Sequence, residues 1–384
     1  MHDPRRPVVL FSGGGTGGHL YPALALARAL VELRPDVRPF FVGAERGIEA
    51  RVLPERGVEH ALLPVRGFAR GRLLSNWRVV PDLARSLGRV RGLFKHLRPA
   101  LVVVTGGYAS GPSGMVAALR KVPLVVQEQN SVPGFTTKLL SRWASEIHVA
   151  FPEAALGLPA SARAQVVVNG NPIEPPRALD RAAARRAFAL EPSGTVVLVM
   201  GGSQGSAALN GGVLGAVRLV ASGQATRPAG MQLLWATGTS HVAKVRAALA
   251  ELGDPAWVRA VDYIHDMPTA LAAADLAVSR AGAMATSELL AWGLPSILVP
   301  LPTAAANHQT HNAEALAAVG AAAHLPESEM SGARLWSTIE RLAGDPARLE
   351  AQRKAARERG RPESARRIAA SLAALLPPVP VERA

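Results

Sequence analysis

The chain has 384 residues, with 43 Lys and Arg against 29 Asp and Glu and a formal net charge of +14. At roughly 100–200 residues per domain this length suggests two domains, and the charge suggests an anionic partner: nucleic acid, an acidic membrane surface or a phosphorylated substrate. The absence of cysteine excludes disulfides, thiolate metal sites and a cysteine nucleophile; 48% apolar residues exclude a disordered basic tail, and 4% aromatic residues weigh against binding nucleic acid by base stacking.

The chain starts MHDPRRPVVLFSGGG, whose apolar run is too short for the core of a signal peptide. No later stretch approaches the roughly 18 apolar residues of a membrane span. The expectation is a cytoplasmic protein, unless it binds a membrane from the side. Strands are predicted at Val8–Phe11, Pro39–Val42, Leu101–Val104, Leu124–Val126, Ile147–Val149 and Val166–Val168, with helical spacing between them at Pro22–Leu33 and Gly114–Arg120. Unbroken apolar strands that alternate with helices imply a parallel sheet covered on both faces. Gly170-Asn171-Pro172-Ile173-Glu174-Pro175-Pro176 then reads as a stiff linker. The pattern repeats with strands at Val196–Met200, Leu233–Ala236, Leu276–Val278 and Ser296–Val299. The fold class is α/β: two Rossmann-like doubly wound domains, 1–169 and 177–360, joined by 170–176 and facing a cleft. A last helix at about 363–376 can pack back on the first domain.

Glycine-rich loops follow four of the strands, at the carboxyl ends where open α/β sheets bind ligands. The first, Ser12 to His19, opens a helix with Pro22 placed in its first turn. Gly13, Gly15 and Gly18 fit the dinucleotide pattern G-x-G-x-x-G, and Glu45 follows the second strand as a ribose binder would. On this loop alone a nucleotide-dependent dehydrogenase stands beside any other anion binder. The other loops are Thr105–Gly111, Gly201–Ser206 and Arg280–Glu288. A dehydrogenase needs one such loop, whereas a protein gripping a diphosphate and two sugars uses several.

The motifs Gly-Gly-Thr-Gly-Gly-His at 14–19, Gly-Gly-Tyr at 106–108, Glu-Gln-Asn at 128–130, Gly-Asn-Pro at 170–172, Gly-Gly-Ser-Gln-Gly at 201–205, Ser-Arg-Ala-Gly-Ala at 279–283 and His-Gln-Thr-His-Asn at 308–312 span the chain. In this order and spacing they resemble the MurG family, the undecaprenyl-diphospho-muramoylpentapeptide N-acetylglucosaminyltransferases (family 28, with the two-domain GT-B fold). The resemblance implies inverting transfer of GlcNAc from UDP-GlcNAc to the C4 hydroxyl of MurNAc in lipid I, giving lipid II for peptidoglycan. It also implies a peripheral protein on the cytoplasmic face of the inner membrane, in contact with cell-wall and division proteins. Neither a cofactor nor nucleic acid is implied. The readings that remain beside it are another GT-B lipid glycosyltransferase, a UDP-GlcNAc epimerase, and the dehydrogenase.

By this resemblance the second domain holds UDP-GlcNAc. Glu288 suits the ribose diol, because a carboxylate accepts two hydroxyl donors; the other reading is an acid at a helix start that complements the dipole. Ser203 suits the diphosphate, the Ile264 backbone the uracil edge, and the Gln309 amide the sugar hydroxyls. Ala283, Met284, Ala285, Thr286 and Ser287 line the pocket on the way to Glu288. From the first domain Thr16, Gly17 and Gly18 face the diphosphate region and Asn130 reaches the donor sugar. His19 is a candidate base, since a helix N-terminus favours a neutral imidazole; the other reading is a phosphate positioner or cap. Glu128 is a rival base or a structural carboxylate. Two departures stand out. Glu174 occupies a position where the family commonly carries Arg for a donor contact, which leaves Arg177 as its substitute, and Asn307 replaces an Asp before His-Gln. No Asp-x-Asp pair offers a metal site.

Nine Lys and Arg with one acid, Asp82, lie between Arg66 and Arg98, interleaved with apolar residues. This suits an anionic bilayer, with Leu73, Leu74, Trp77, Arg72 and Arg78 as the membrane residues; the alternative is an apolar face packed on the sheet while the arginines solvate. The later basic run, Arg353–Arg367, reads as a solvated helix face.

Overall fold

A computed structural model describes residues 6–67, 79–202 and 204–379. The chain forms two compact units, one built from residues up to Glu174 and from Glu363 onward, the other from Pro175–Pro362.

The first unit carries seven strands: β1 (Val8–Ser12), β2 (Arg38–Ala44), β3 (His60–Leu63), β4 (Leu101–Val104), β5 (Leu124–Glu128), β6 (Glu146–Val149) and β7 (Val166–Val168). They form one sheet in the order β3-β2-β1-β4-β5-β6-β7, with every pairing parallel. Its helices are α1 (Gly17–Leu33), α2 (Glu49–Glu55), α3 (Val79–Leu97), α4 (Ser110–Arg120) and α5 (Phe135–Leu140). Strands β1 and β4 are buried at every position, which is why they read as unbroken apolar runs. Helix α1 starts at Gly17, so Pro22 lies in its second turn and not its first. The ring nitrogen there has no hydrogen to offer the turn before it, a cost the buried Leu20, Ala23, Leu26 and Leu30 offset by packing.

The second unit repeats the winding. Its strands are β8 (Val196–Met200), β9 (Gln232–Ala236), β10 (Val258–Val261), β11 (Leu276–Ser279), β12 (Ser296–Leu298) and β13 (Ala323–His324). Their order is β10-β9-β8-β11-β12-β13, again all parallel. Around them lie α6 (Arg181–Ala187), α7 (Ala207–Ala221), α8 (Val242–Ala250), α9 (Met267–Ala273), α10 (Ala283–Ala291), α11 (His308–Ala318), α12 (Gly332–Ala343) and α13 (Pro346–Arg359). The last helix, α14 (Ser364–Ala374), returns to the first unit. Its Ile368, Ala369 and Leu372 share a core with Leu20, Leu26 and Leu30 of α1. Strands β3, β10 and β13 escape prediction because they are short and carry no fully buried apolar run.

Candidate functional site

In each unit the strand order reverses at one place, between β1 and β4 and between β8 and β11. Connections leave such a point toward opposite faces of the sheet, which opens a crevice for ligand. All four glycine loops of the sequence fall at these two points.

In the first unit the loops after β1 and β4 are stitched together. The Gly14 N–H donates to the Gly106 carbonyl at 3.3 Å and the Thr105 N–H to that of Ser12 at 3.0 Å. The Thr105 hydroxyl donates to the His19 carbonyl at 2.7 Å. Gly106 and Gly107 have φ of 91° and 75°, and a Cβ on Gly107 would lie 2.0 Å from the Gly14 oxygen. Both the backbone region and the close approach therefore require glycine.

His19 sits in the first turn of α1, half-buried against this glycine pair. Its Nδ1 lies 3.0 Å from the Thr105 carbonyl oxygen and 2.8 Å from Gln129 Oε1. Both are acceptors, so Nδ1 carries a hydrogen, and in the neutral ring the lone pair is then on Nε2. The Gln129 amide is itself oriented, since its Nε2 donates to the Thr105 carbonyl at 2.8 Å and to Gln127. Gln127 Nε2 donates to Asn171 Oδ1 at 3.0 Å, and Asn171 Nδ2 returns a bond to the Gln129 carbonyl at 3.1 Å. All three amides are buried, which makes the orientation costly to change.

Glu128 is engaged differently. Its Oε1 accepts from the Asn130 N–H at 3.0 Å and from Asn130 Nδ2 at 3.2 Å, and its Oε2 from the Gly134 N–H at 3.0 Å. Both oxygens of the buried carboxylate thus hold the 130–134 loop.

In the second unit a cation ties the loops. Arg280 is buried and follows β11. Its Nη1 donates to the Val299 and Pro300 carbonyls at 3.2 Å each. Its Nη2 lies 2.6 Å from the Ser206 hydroxyl and 2.5 Å from Glu327 Oε2. Ser206 also caps α7 by accepting from the Leu209 N–H at 3.2 Å. Asn312 Nδ2 donates to the Ala281 carbonyl at 3.2 Å and steadies the same loop from α11.

The glycosyltransferase family 28 N-terminal domain matches residues 9–149, and the family 28 C-terminal domain matches residues 196–368. The UDP-N-acetylglucosamine–N-acetylmuramyl-(pentapeptide) pyrophosphoryl-undecaprenol N-acetylglucosamine transferase of Salinibacter ruber is 42% identical, over 97% of each chain. That of Moorella thermoacetica is 40% identical, over 92% of this chain and 95% of its own. The chain belongs to the MurG family. The crystal structure of Acinetobacter baumannii MurG superposes with a TM-score of 0.75 at 28% identity, covering 96% of this chain and 99% of that one. A UDP-N-acetylglucosamine 2-epimerase from Listeria monocytogenes shares the fold alone, with a TM-score of 0.66 at 15% identity.

Within the MurG fold the sequence-predicted residues separate by unit. Thr16, Gly17, Gly18 and His19 gather at the first switch point, with Glu128 and Asn130 on the loop after β5. Ala283 to Glu288 lie on α10. Glu288 is the sixth residue of that helix, in its second turn, and no acidic residue occupies the first. This corrects the expectation of an acid at the helix start, and the dipole reading weakens with it. Ile264 is a buried side chain in the irregular segment before α9, leaving only its backbone for a ligand. Asp266 caps α9, and the Thr269 hydroxyl and N–H, helped by nearby Arg177, hold its carboxyl below the ordinary value. Gln309 Oε1 accepts the Leu301 N–H at 3.0 Å, which orients the amide. Asn307 accepts from the Thr310 hydroxyl at 2.7 Å, a local role that needs no charge. Glu174 is exposed at the end of the first unit's main segment. Ser203, Leu73, Leu74, Trp77, Arg72 and Arg78 lie outside the described residues.

Glu45, the supposed ribose binder of a dehydrogenase, instead pairs with Arg89 at 2.6 Å. Asp82 pairs with Arg66 at 2.7 Å and Arg85 at 3.2 Å. On α3 the residues Leu87, Val90, Leu93 and Phe94 pack into the core, while Val80 and Leu83 are 73% and 40% exposed. Among the described residues no helix is long and apolar enough to cross a membrane. Sequence reasoning missed the amides Gln127, Gln129 and Asn171 and the guanidinium of Arg280. The run of polar residues at 127–130 after an apolar strand was the available signal.

Proposed function

We propose that this chain transfers GlcNAc from UDP-GlcNAc to the C4 hydroxyl of MurNAc in lipid I, with the acceptor handled by the first unit and the donor by the second. The observation that carries the residue assignment is the pair of acceptors around His19 Nδ1, which leaves the Nε2 lone pair to take a proton. In this reading His19 Nε2 removes the C4 hydroxyl proton as that oxygen attacks the anomeric carbon. The bond from that carbon to UDP breaks on the opposite face, so the configuration inverts. Thr16, Gly17 and Gly18 offer backbone N–H groups at the start of α1 to diphosphate oxygens. Glu288 accepts the ribose hydroxyls, the Ile264 backbone meets the uracil, and Gln309 and Asn130 meet the donor sugar. The bonds both Glu128 oxygens make to the 130–134 loop support a holding role in place of a base. The N-terminus of α10 supplies the field that favours the departing diphosphate, on a loop that Arg280 holds in place.

Membrane attachment at the cytoplasmic face of the inner membrane belongs to the same proposal. Its support is the basic stretch 66–98, with Val80 and Leu83 exposed within it. Pelleting with anionic vesicles should weaken as salt rises and should be lost on neutralising Arg72 and Arg78; salt-independent pelleting contradicts it.

The deciding experiment mixes the purified chain with UDP-GlcNAc and lipid I. Formation of lipid II is expected, as is a rise in melting temperature with UDP-GlcNAc and none with NADH. Conversion of UDP-GlcNAc to its 2-epimer, with lipid I untouched, would favour the epimerase reading.

A further inference from the structure

Glu49 is the first residue of α2, a position where an acidic side chain ordinarily faces water and complements the helix dipole. Here the residue is fully buried. Its Oε1 accepts the Gly15 N–H at 2.5 Å, in the middle of the first glycine loop. Glycines from two separate segments make room for it. A Cβ on Gly14 would lie 2.0 Å from Oε1, one on Gly43 2.6 Å from the Glu49 Cβ, and one on Gly47 1.7 Å from Oε2. Gly15 is also packed against Tyr108, whose Cε1 would meet a Cβ there at 2.6 Å. A carboxyl removed from water is costly, and one lodged in such a cradle persists only where its contacts repay the burial. Burial raises the Glu49 carboxyl above its ordinary value, although the N–H groups of Glu49 itself, Gly15 and Ala44 and the nearby His19 pull the other way.

We infer that Glu49 is a positioning residue for the transfer: its Oε1, seated in the cradle of Gly14, Gly43 and Gly47, fixes the Gly15 peptide and so aims Thr16 to His19 at the acceptor. This rests on the assignment of the acceptor to the first unit made above. The sequence alone hides it, because a glutamate followed by an amphipathic turn reads as an ordinary helix start.

A carboxyl that served only to stabilise the fold would lower the melting temperature and the active fraction on removal, and leave both KM values where they were. A positioning residue moves the acceptor KM. The test is steady-state kinetics with lipid I and UDP-GlcNAc, beside melting curves, for wild type, Glu49→Ala and Glu49→Gln. Glu49→Ala removes the acceptor of the Gly15 N–H, and its acceptor kcat/KM should fall about 10- to 100-fold, with acceptor KM raised and donor KM raised less, through Thr16 to Gly18. Glu49→Gln keeps an oxygen of the same reach and should recover most of that loss. If Glu49→Ala proves unstable, Gly47→Ala displaces the carboxyl by crowding Oε2 and should raise the acceptor KM in the same way. Unchanged acceptor KM in Glu49→Ala and Gly47→Ala, or a Glu49→Gln enzyme as impaired as Glu49→Ala, overturns the inference. Failure of the wild type to convert lipid I would instead overturn the proposed function.

Discussion

Around His19 at the first switch point neutral groups do the tying: backbone amides, the Thr105 hydroxyl and a chain of three buried carboxamides, with the Glu49 carboxyl holding the loop further back at Gly15. At the second, a buried guanidinium reaches across from the loop after β11 to Ser206 and Glu327. The strand order around the two points is the same, so the difference lies in the side chains. An imidazole whose Nδ1 faces two neutral acceptors leaves Nε2 as the nitrogen without a protein acceptor beside it in that chain. A guanidinium brings five N–H donors in a fixed fork, and here they go to two carbonyls, the Ser206 hydroxyl and the Glu327 carboxylate. In the proposed reading the first winding thus presents a proton acceptor and the second a loop framework locked by charge.

The largest expected effect falls on the first side. His19→Ala should lower kcat by about 10²- to 10⁴-fold, the range for loss of a general base, with donor KM within about threefold of wild type. A loss confined to KM would make His19 a binder and remove the contrast. Arg280→Met tests the second side through stability. It strips Glu327 of its partner and should cost about 3 kcal/mol, lowering the melting temperature of the second unit by roughly 6–12 °C. An unchanged melting curve would mean that the guanidinium is dispensable to the loops. Glu288→Ala comes next, with a donor KM raised about 10- to 100-fold, as expected for lost hydrogen bonds to a charged acceptor, and acceptor KM unaltered. The smallest effect concerns pH. Because burial raises the Glu49 carboxyl, the folded chain binds more protons than the unfolded one between the ordinary and the raised value, and stability falls as pH rises through that window. Glu49→Gln should flatten this fall in urea titrations; an undiminished slope would assign it to other groups.

Much of the fold is legible in the amino-acid sequence. Strands β1, β4, β8 and β11 are buried throughout, and each ends at a glycine loop, so composition and punctuation both mark them. The half-buried β3 and β10 and the two-residue β13 lack that signal. His19 is legible as a type at a helix start, but its tautomer is not. That depends on Gln129, 110 residues away, and on Asn171 beyond it. The role of Glu128 is ambiguous in sequence because two of its three bonds come from backbone N–H groups, which carry no sequence mark. Glu49 is invisible for a related reason. Gly14, Gly43 and Gly47 form a cradle only when the loop after β1 meets the end of β2 and the turn beyond it, and none of them alone marks a buried carboxyl.

The division of labour between the units is tested most directly by calorimetric titration of UDP-GlcNAc into wild type, His19→Ala and Glu288→Ala. The prediction is that His19→Ala binds the donor as wild type does, while Glu288→Ala binds it at least about tenfold more weakly. Equal weakening in both variants, or weakening in His19→Ala alone, would contradict it.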